Sequence, residues 1–423
     1  MSEMNFYDAV DVISGGTPST KIPEYWDGII PWLSVVDFGD KNKYVYETEK
    51  HITQLGVDNS ATKVLNTNDI IISARGTVGA MAMLAEPMAF NQSCFGLRAK
   101  PHIMDQDYLF YFLKSYMRNI SQKSQGSVFQ TINLDTFKAI DFDVPDLDVQ
   151  KAISNLLSCI DEKIENNTAI CSDLEGMAKL LYDYWFVQFD FPDENGKPYK
   201  SSGGKMVWNE DLKREIPAGW EVGTFGDCIS SINTGLNPRD NFKLNTGGTI
   251  KYLTVKNLTK EGTIDFSSCD FIDEMARSIV HRRSDIKVGD ILFASIAPLG
   301  RCCIISDKPE DWDINESVFS IRPDYQKMTS VFLYMTFVSD LFIKKAEGSS
   351  VGSVFKGIRI SELQELKTVI PPKSILDCFG EQVDQIYKMK SNAVAENQPL
   401  ASLRDFLLPM LMNGQVKIKN NEA

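Results

Sequence analysis

One unit is written twice along this chain. Gly126-Ser127-Val128-Phe129 recurs as Gly352-Ser353-Val354-Phe355, a shift of 226 positions, and the same shift carries Pro145 to Pro371, Ile160 to Ile386, Leu174 to Leu400 and Leu181 to Leu407. Upstream, Asp69-Ile70 and Gly79 match Asp290-Ile291 and Gly300 at 221, and Asn91, Ser93, Phe95 and Arg98 match Asn315, Ser317, Phe319 and Arg322 at 224. Ile30-Pro31-Trp32-Leu33 answers Ile250-Lys251-Tyr252-Leu253, and Gly15 with Pro18 answers Gly235 with Pro238. The drifting offset marks small loop insertions. A duplication on this scale fixes the architecture before any motif is weighed. The 423 residues suffice for two such units with separate cores.

Each copy has two parts. In the first copy, residues 1–145 mix short β-branched runs such as Asp69-Ile70-Ile71-Ile72 with Gly-rich turns and an apolar helical stretch near 108–116, which predicts a mixed α/β globule without βαβ periodicity. From 147 to about 186 there is no Pro, and a seam runs Ile153, Leu157, Ile160, Ile164, Asn167, Cys171, Leu174, Ala178, Leu181, Trp185 in alternating steps of four and three. That is the spacing of a coiled-coil stripe. The shifted stripe is Phe379, Val383, Ile386, Lys390, Ala393, Asn397, Leu400, Arg404, Leu407, Leu411. It is weaker, and Pro399 and Pro409 are expected to break or kink it. Heptads alone leave open whether the two helices pair antiparallel or each packs on its own globule. Asn167 in the seam favours pairing, because one buried Asn fixes register. Between the copies, residues 191–205 are rich in Pro, Gly, Ser and Lys and read as an exposed linker. The fold class is therefore α+β: two mixed α/β domains and a pair of long helices forming an antiparallel coiled coil, with pseudo-twofold internal repetition. The boundaries are 1–145, 146–190 for the first helix, 191–215 for the linker, 216–371, and 372–415 for the second helix.

Several chemistries lack their residues. No Gly-x-Gly-x-x-Gly opens a helix after a strand, no phosphate-binding Gly-x-x-x-x-Gly-Lys-Ser/Thr is present, and no Asn/Asp-Pro-Pro-Tyr occurs. His51, His102 and His281 are far apart in sequence and from any Cys pair, so neither a zinc site nor a Cys/His dyad has its spacing. The eight Cys form no Cys-x-x-Cys and read as reduced, buried thiols. No signal peptide or membrane-spanning run is evident, so the expectation is a soluble, cytoplasmic protein. Pro145-Asp146 followed by Asp161-Glu162-Lys163 has the outline of a metal-nuclease site, but the seam puts these three charges on the outward face of a helix, where a solvated surface is expected.

The net charge of −13 argues against a polybasic nucleic-acid binder. Its distribution says more. Residues 146–192 hold 3 basic and 9 acidic groups, whereas 108–134 carry Lys114, Arg118 and Lys123 and no acid. The matching stretch of the second copy has Lys344, Lys345, Lys356 and Arg359 against Asp340 and Glu347. A basic patch at equivalent positions beside the repeated Gly-Ser-Val-Phe tract, which supplies Ser127 and Ser353, suits phosphate contact. Side chains suited to base edges or backbone fall in nearby turns: Thr17, Ser19, Lys21, Arg75, Thr77, Gln130 and Asn133 in the first copy, and Asn237, Arg239, Lys256, Asn257 and Arg301 in the second. For any one of them, ordinary polar loop chemistry is the competing reading.

The residues resemble the DNA-specificity subunits of type I restriction-modification systems. The likeness rests on Ile160-Asp161-Glu162-Lys163-Ile164-Glu165-Asn166-Asn167, Trp185-Phe186-Val187-Gln188-Phe189-Asp190-Phe191, Lys200-Ser201-Ser202-Gly203-Gly204, Ile216-Pro217-Ala218-Gly219-Trp220-Glu221 and Leu403-Arg404-Asp405-Phe406-Leu407-Leu408-Pro409, and it covers essentially the whole chain. It implies two target-recognition domains, each reading half of an interrupted, asymmetric DNA site, with the helices as a ruler between them. It also implies two methyltransferase subunits that use S-adenosylmethionine to methylate adenine, motor-nuclease subunits that use ATP and Mg²⁺, and a non-catalytic role without cofactor for this chain. The first copy lacks the Pro-x-Gly-Trp-Glu lead-in of the second, which leaves an edge strand missing or supplied otherwise. A protein-interaction scaffold is the competing function, favoured by the overall acidity, and an enzyme with its own catalytic centre is the third.

Overall fold

A computed structural model describes residues 5–39, 43–123, 131–140, 144–239, 241–348 and 357–418. The chain divides into two compact units, Met1–Cys171 with Asn392–Ala423, and Ser172–Ser391.

In the first unit, the sheet order is Val10–Ser14, Cys94–Ala99, Ile70–Ser73, Met81–Leu84, Tyr44–Val45; the first four strands are antiparallel neighbours and the fifth joins in parallel. The continuous apolar runs of its central strands follow from burial on both faces. Ile70, Ile72, Met81, Met83 and Leu97 face one core with Tyr108, Leu109 and Leu113 of the helix Gln106–Lys123. Ile71, Ala82 and Leu84 face another with Leu33, Leu65 and Phe90. Two-residue periodicity thus sorts one strand into two cores. A second sheet has the order Lys50–Ile52, Trp26–Leu33, Met88–Phe90, Val64–Leu65.

The second unit repeats this plan. Ile229–Thr234, Val318–Pro323, Ile291–Ala294 and Cys302–Ile304 form the same antiparallel order. Asp270–Ile272, Ile250–Leu253 and Trp312–Ile314 form the second sheet, again with one antiparallel and one parallel pairing about the central strand. The residues matched in sequence do matched work. Arg98 grips Asp69 with Nε and Nη2, and Arg322 grips Asp290 in the same two-point way. Gly79 and Gly300 both turn at φ +86, in the left-handed region. Adjacent Cys302 and Cys303 belong to opposite cores, and burial pushes both thiols up, Cys303 to about 12.

The long helices are Leu147–Tyr182, extended by a wide turn at Asp183–Val187, and Lys373–Met412. Their pairing is antiparallel within each unit. In the first, Asn167 Nδ2 donates to Glu396 Oε2 at 2.9 Å and to Asn397 Oδ1 at 3.0 Å, so the seam asparagine has partners on the facing helix. In the second, Glu175 pairs with Lys390, and Tyr182 and Trp185 pack on Phe379. The weak second stripe is explained by these partners, because its two seam cations, Lys390 and Arg404, each meet an acid.

Three expectations are corrected. Pro399 and Pro409 do not break the helix: both lie inside Lys373–Met412, Pro399 on its exposed side and Pro409 within a turn of its end. Asp161 is not an outward charge: it is 7% exposed and accepts from Arg404 Nη1 and from the Tyr111 hydroxyl, both at 2.7 Å. The stretch 191–205 is mostly exposed yet anchored: Phe191 stacks between Tyr199 and Trp220, and Asp190 takes the backbone and hydroxyl of Ser201. Seam residue Leu181 is half-buried, while its neighbour Tyr182 is buried and donates to Thr336. The second copy's lead-in strand, Glu221–Thr224, pairs with Lys367–Ile370; residues 1–4 and 141–143, its counterparts in the first copy, lie outside the described residues.

Candidate nucleic-acid interface

Each unit carries two loops held together by its main sheet. The first is the turn after the opening strand. A Cβ on Gly15 would sit 2.2 Å from the Asn91 carbonyl oxygen, and one on Gly235 would sit 1.7 Å from that of Ile314, so both turns close tightly against the neighbouring chain. The next residues are aimed alike: the Thr17 hydroxyl bonds Gln92 Oε1, and Asn237 Nδ2 donates to Glu316 Oε1 at 2.6 Å. Glu316 Oε2 has no partner among the described residues. Ser19, Lys21 and Arg239 are exposed on these turns.

The second loop follows the central strand. Arg75 and Thr77 are exposed there, and the amide of Ile132 donates to the Ala74 carbonyl at 3.0 Å, which brings Asn133 beside them. Asn133 caps the helix Leu134–Lys138 through Thr136, so its side-chain oxygen is engaged. In the second unit, Ile358 donates to the Ser295 carbonyl at 2.8 Å and places exposed Arg359 at the start of Ile360–Glu365 in the same way. Arg301 is half-buried and donates to the Leu258 carbonyl. Where the first unit has Arg75, the repeat offset gives the second unit exposed Ile296.

The helix-borne cations vary in availability. Lys114 lies over the Phe110 ring, Arg118 is exposed near Asp405 at 3.9 Å, and Lys123 ends its helix. Lys344 is exposed, whereas Lys345 donates to the Lys367 carbonyl. Ser127, Gln130, Ser353 and Lys356, with both Gly-Ser-Val-Phe tracts, lie outside the described residues. Lys256 is exposed and 3.5 Å from Asp270. Asn257 is corrected: it is fully buried, its oxygen taken by the Thr254 amide and its Nδ2 by Asp265 and Ser268, so it supports a turn and reaches no base.

A further cationic feature was not singled out from the sequence. The helix Glu274–Ser284 carries Arg277, His281, Arg282 and Arg283, and with Lys287 and Lys308 it borders a cleft of about 460 Å³. Beneath it, Asp313 is 0% exposed; its carboxylate takes the Ser284 hydroxyl at 2.6 Å, the Ile314 amide at 2.8 Å and His281 Nδ1 at 3.0 Å. Burial pushes this carboxyl above the usual range, against those hydrogen bonds. The aspartate stands between Ser284 and His281, so this is no nucleophile–base relay. The signal was the run His281-Arg282-Arg283 one turn after Arg277, hidden when charge is summed over a whole domain.

Among the described residues no cluster of His, Cys, Asp and Glu could hold a metal ion, and no helix is long and apolar enough to cross a membrane. The profile of the type I restriction modification DNA specificity domain matches residues 2–175 and again 217–391. The type I restriction enzyme MjaIX specificity subunit of Methanocaldococcus jannaschii is 27% identical over 97% of this chain and 92% of its own. The HindI specificity subunit of Haemophilus influenzae is 24% identical over 74% and 78%. The crystal structure of a type I restriction-modification S subunit from M. genitalium superposes with a TM-score of 0.52 at 18% identity, over 96% of this chain and 95% of that one, a likeness of fold. With the profile matched once in each repeat and over most of the sequence, the chain belongs to the type I restriction-modification DNA specificity family.

Proposed function

We propose that this chain is the sequence-reading subunit of a type I restriction-modification complex. Residues 1–145 and 216–371 each read one half of an interrupted, asymmetric DNA site, and the helical segments 146–190 and 372–415 hold the distance between the halves. Adenine methylation and cleavage belong to partner subunits that bring S-adenosylmethionine, ATP and Mg²⁺; this chain carries no chemical step and works in the cytoplasm. One observation carries the reading: the two units share sheet order and the Asp–Arg clasp, yet present different side chains from equivalent loops. Arg75 answers to Ile296, and Thr17 with Gln92 answers to Asn237 with Glu316. Arg suits guanine, a carboxylate suits the cytosine amino group, and an apolar side chain suits the thymine methyl. Docking of modification subunits is supported by Val149, Leu156 and Ile170 in the first unit's stretch of the first helix, and by Met177 and Tyr184 in the second's, all exposed at multiples of seven residues.

The test is to assemble the chain with its modification subunit and map methylated adenines across a genome. A single asymmetric motif with a fixed gap is expected; scattered, motif-free methylation overturns the reading. Removing one heptad between Asn167 and Leu174, with the matching heptad of the second helix, should shorten the gap. An unchanged gap refutes the ruler.

A further inference from the structure

Among the described residues, the first unit does not repeat the helix and the buried aspartate that border this cleft. There the corresponding helix is the five-residue Gln54–Asp58, and Ala89 occupies the position of Asp313 by the repeat offset. The lining is also sorted by chemistry. Buried Ile286 and Pro309 make an apolar floor, exposed Val288 adds an apolar edge, and Arg277, His281, Lys287 and Lys308 supply the rim with Glu310 as the acid among them. Arg277 is fixed by donating from Nη2 to the Pro309 carbonyl at 2.7 Å, and its Nε has no partner among the described residues. Buried Asp313 takes the Nδ1 side of His281, which leaves Nε2 for whatever enters the cleft.

An apolar floor under a cationic rim, with room for about one nucleotide, matches a sugar-phosphate unit: deoxyribose against Val288 and Pro309, phosphate oxygens toward the rim. We infer that this cleft seats one backbone phosphate of the DNA bound by the second recognition domain, with His281 on the rim beside it. The inference rests on the DNA-reading function above and deepens it. The groups around His281 are Asp313 and Ser284 below, Arg277 on its own helix, Asp285 and Lys287 in the following turn, and Lys308 and Glu310 across the cleft; Asp285 is engaged by Lys287 and Arg322, and Glu310 by Lys308. Phosphate contact positions a duplex without reading it. The second domain would therefore hold DNA by a backbone contact at a cleft whose lining the described residues of the first unit do not repeat.

The experiment uses the complex assembled with its modification subunit, titrated with a fluorescent duplex carrying the mapped target and with an unrelated duplex, across salt. The wild-type, His281→Gln and Lys308→Gln chains are compared, Lys308 being an exposed residue whose replacement spares the core. Each substitution should weaken binding to both duplexes by the same factor, about tenfold at low salt. Lys308→Gln should also flatten the salt slope by about one. Unchanged affinity and slope in both variants overturn the inference and leave the function standing. A loss confined to the target duplex shows base reading and overturns it as well. A wild-type complex that binds neither duplex sinks the inference and the function together.

Discussion

The two recognition units are the same scaffold carrying different loops, and the contrast shows which residues hold the scaffold. Asp69 is clasped by Arg98 and takes the Asn66 amide. Asp290 is clasped by Arg322 and takes the Ser320 hydroxyl and the Lys287 amide, while Arg322 also bonds Asp285. Both carboxylates are buried at the start of the central strand, where losing one partner strands the other's charge. The largest expected effects follow from this. Asp290→Ala should cost about 4 kcal/mol and Asp69→Ala about 3 kcal/mol in urea unfolding, the second-unit clasp being costlier because Arg322 is less exposed than Arg98. Equal losses would show that the additional partners contribute nothing.

A comparable test separates the two seam ion pairs. Arg404 with Asp161 is deeply buried in the first unit, whereas Lys390 with Glu175 is partly open in the second. Arg404→Ala should destabilise by about 3 kcal/mol and Lys390→Ala by about 1 kcal/mol, and Arg404→Met combined with Asp161→Leu should recover most of the first loss. Failure of the double variant to recover would mean that Tyr111, which also bonds Asp161, depends on the carboxylate.

The loops give the next, smaller contrast. Arg75→Ala should relax the preference at one base pair of the first half-site, by about 1–3 kcal/mol in binding, and leave the second half untouched. Methylome mapping of the variant reads both halves at once. Degeneracy in the second half would break the assignment of one unit to one half-site.

What was legible in the sequence is what repeats. Offsets between paired residues survive because Asp69–Arg98 and Asp290–Arg322 both need the same strand spacing, and the Asn167 seam shows because α-helical periodicity is local. What was not legible depends on the partner across the fold. Asp161 reads as surface charge until Arg404, more than 240 residues away, is seen against it. Asn257 has the composition of a base reader and the place of a turn support, since only packing reveals that its amide is spent. The polar stretch 191–205 is ordered by three aromatic rings brought from outside and within it, which its composition cannot show. The cleft of the second unit is not legible in the sequence because its cations come from a helix and a loop that meet only in the folded chain.

The smallest expected effect distinguishes the units by acid. Asp285 ends the helix Glu274–Ser284 in the left-handed region at φ +41. The Lys287 ammonium and then Arg322 hold its carboxyl below the ordinary carboxylate range. Because the folded value is lowered, the stabilisation is present above the unfolded value of about 3.9 and fades as pH falls through the folded one. Asp313 works in the opposite sense: its carboxyl is raised by burial, so its contribution is full below the unfolded value and is lost as pH rises through the folded one. By the repeat offset the first unit has Val64 where the second has Asp285, so it has no such response. Asn tolerates the left-handed conformation, which makes Asp285→Asn a clean probe. Hydrogen exchange of the second unit's central strands, compared between pH 5 and pH 3, should show a smaller acid-induced loss of protection in Asp285→Asn than in the wild type, with the first unit's strands alike in both. Equal losses in the second unit would show that Asp285 carries none of its acid sensitivity, and so return the two copies to the same footing.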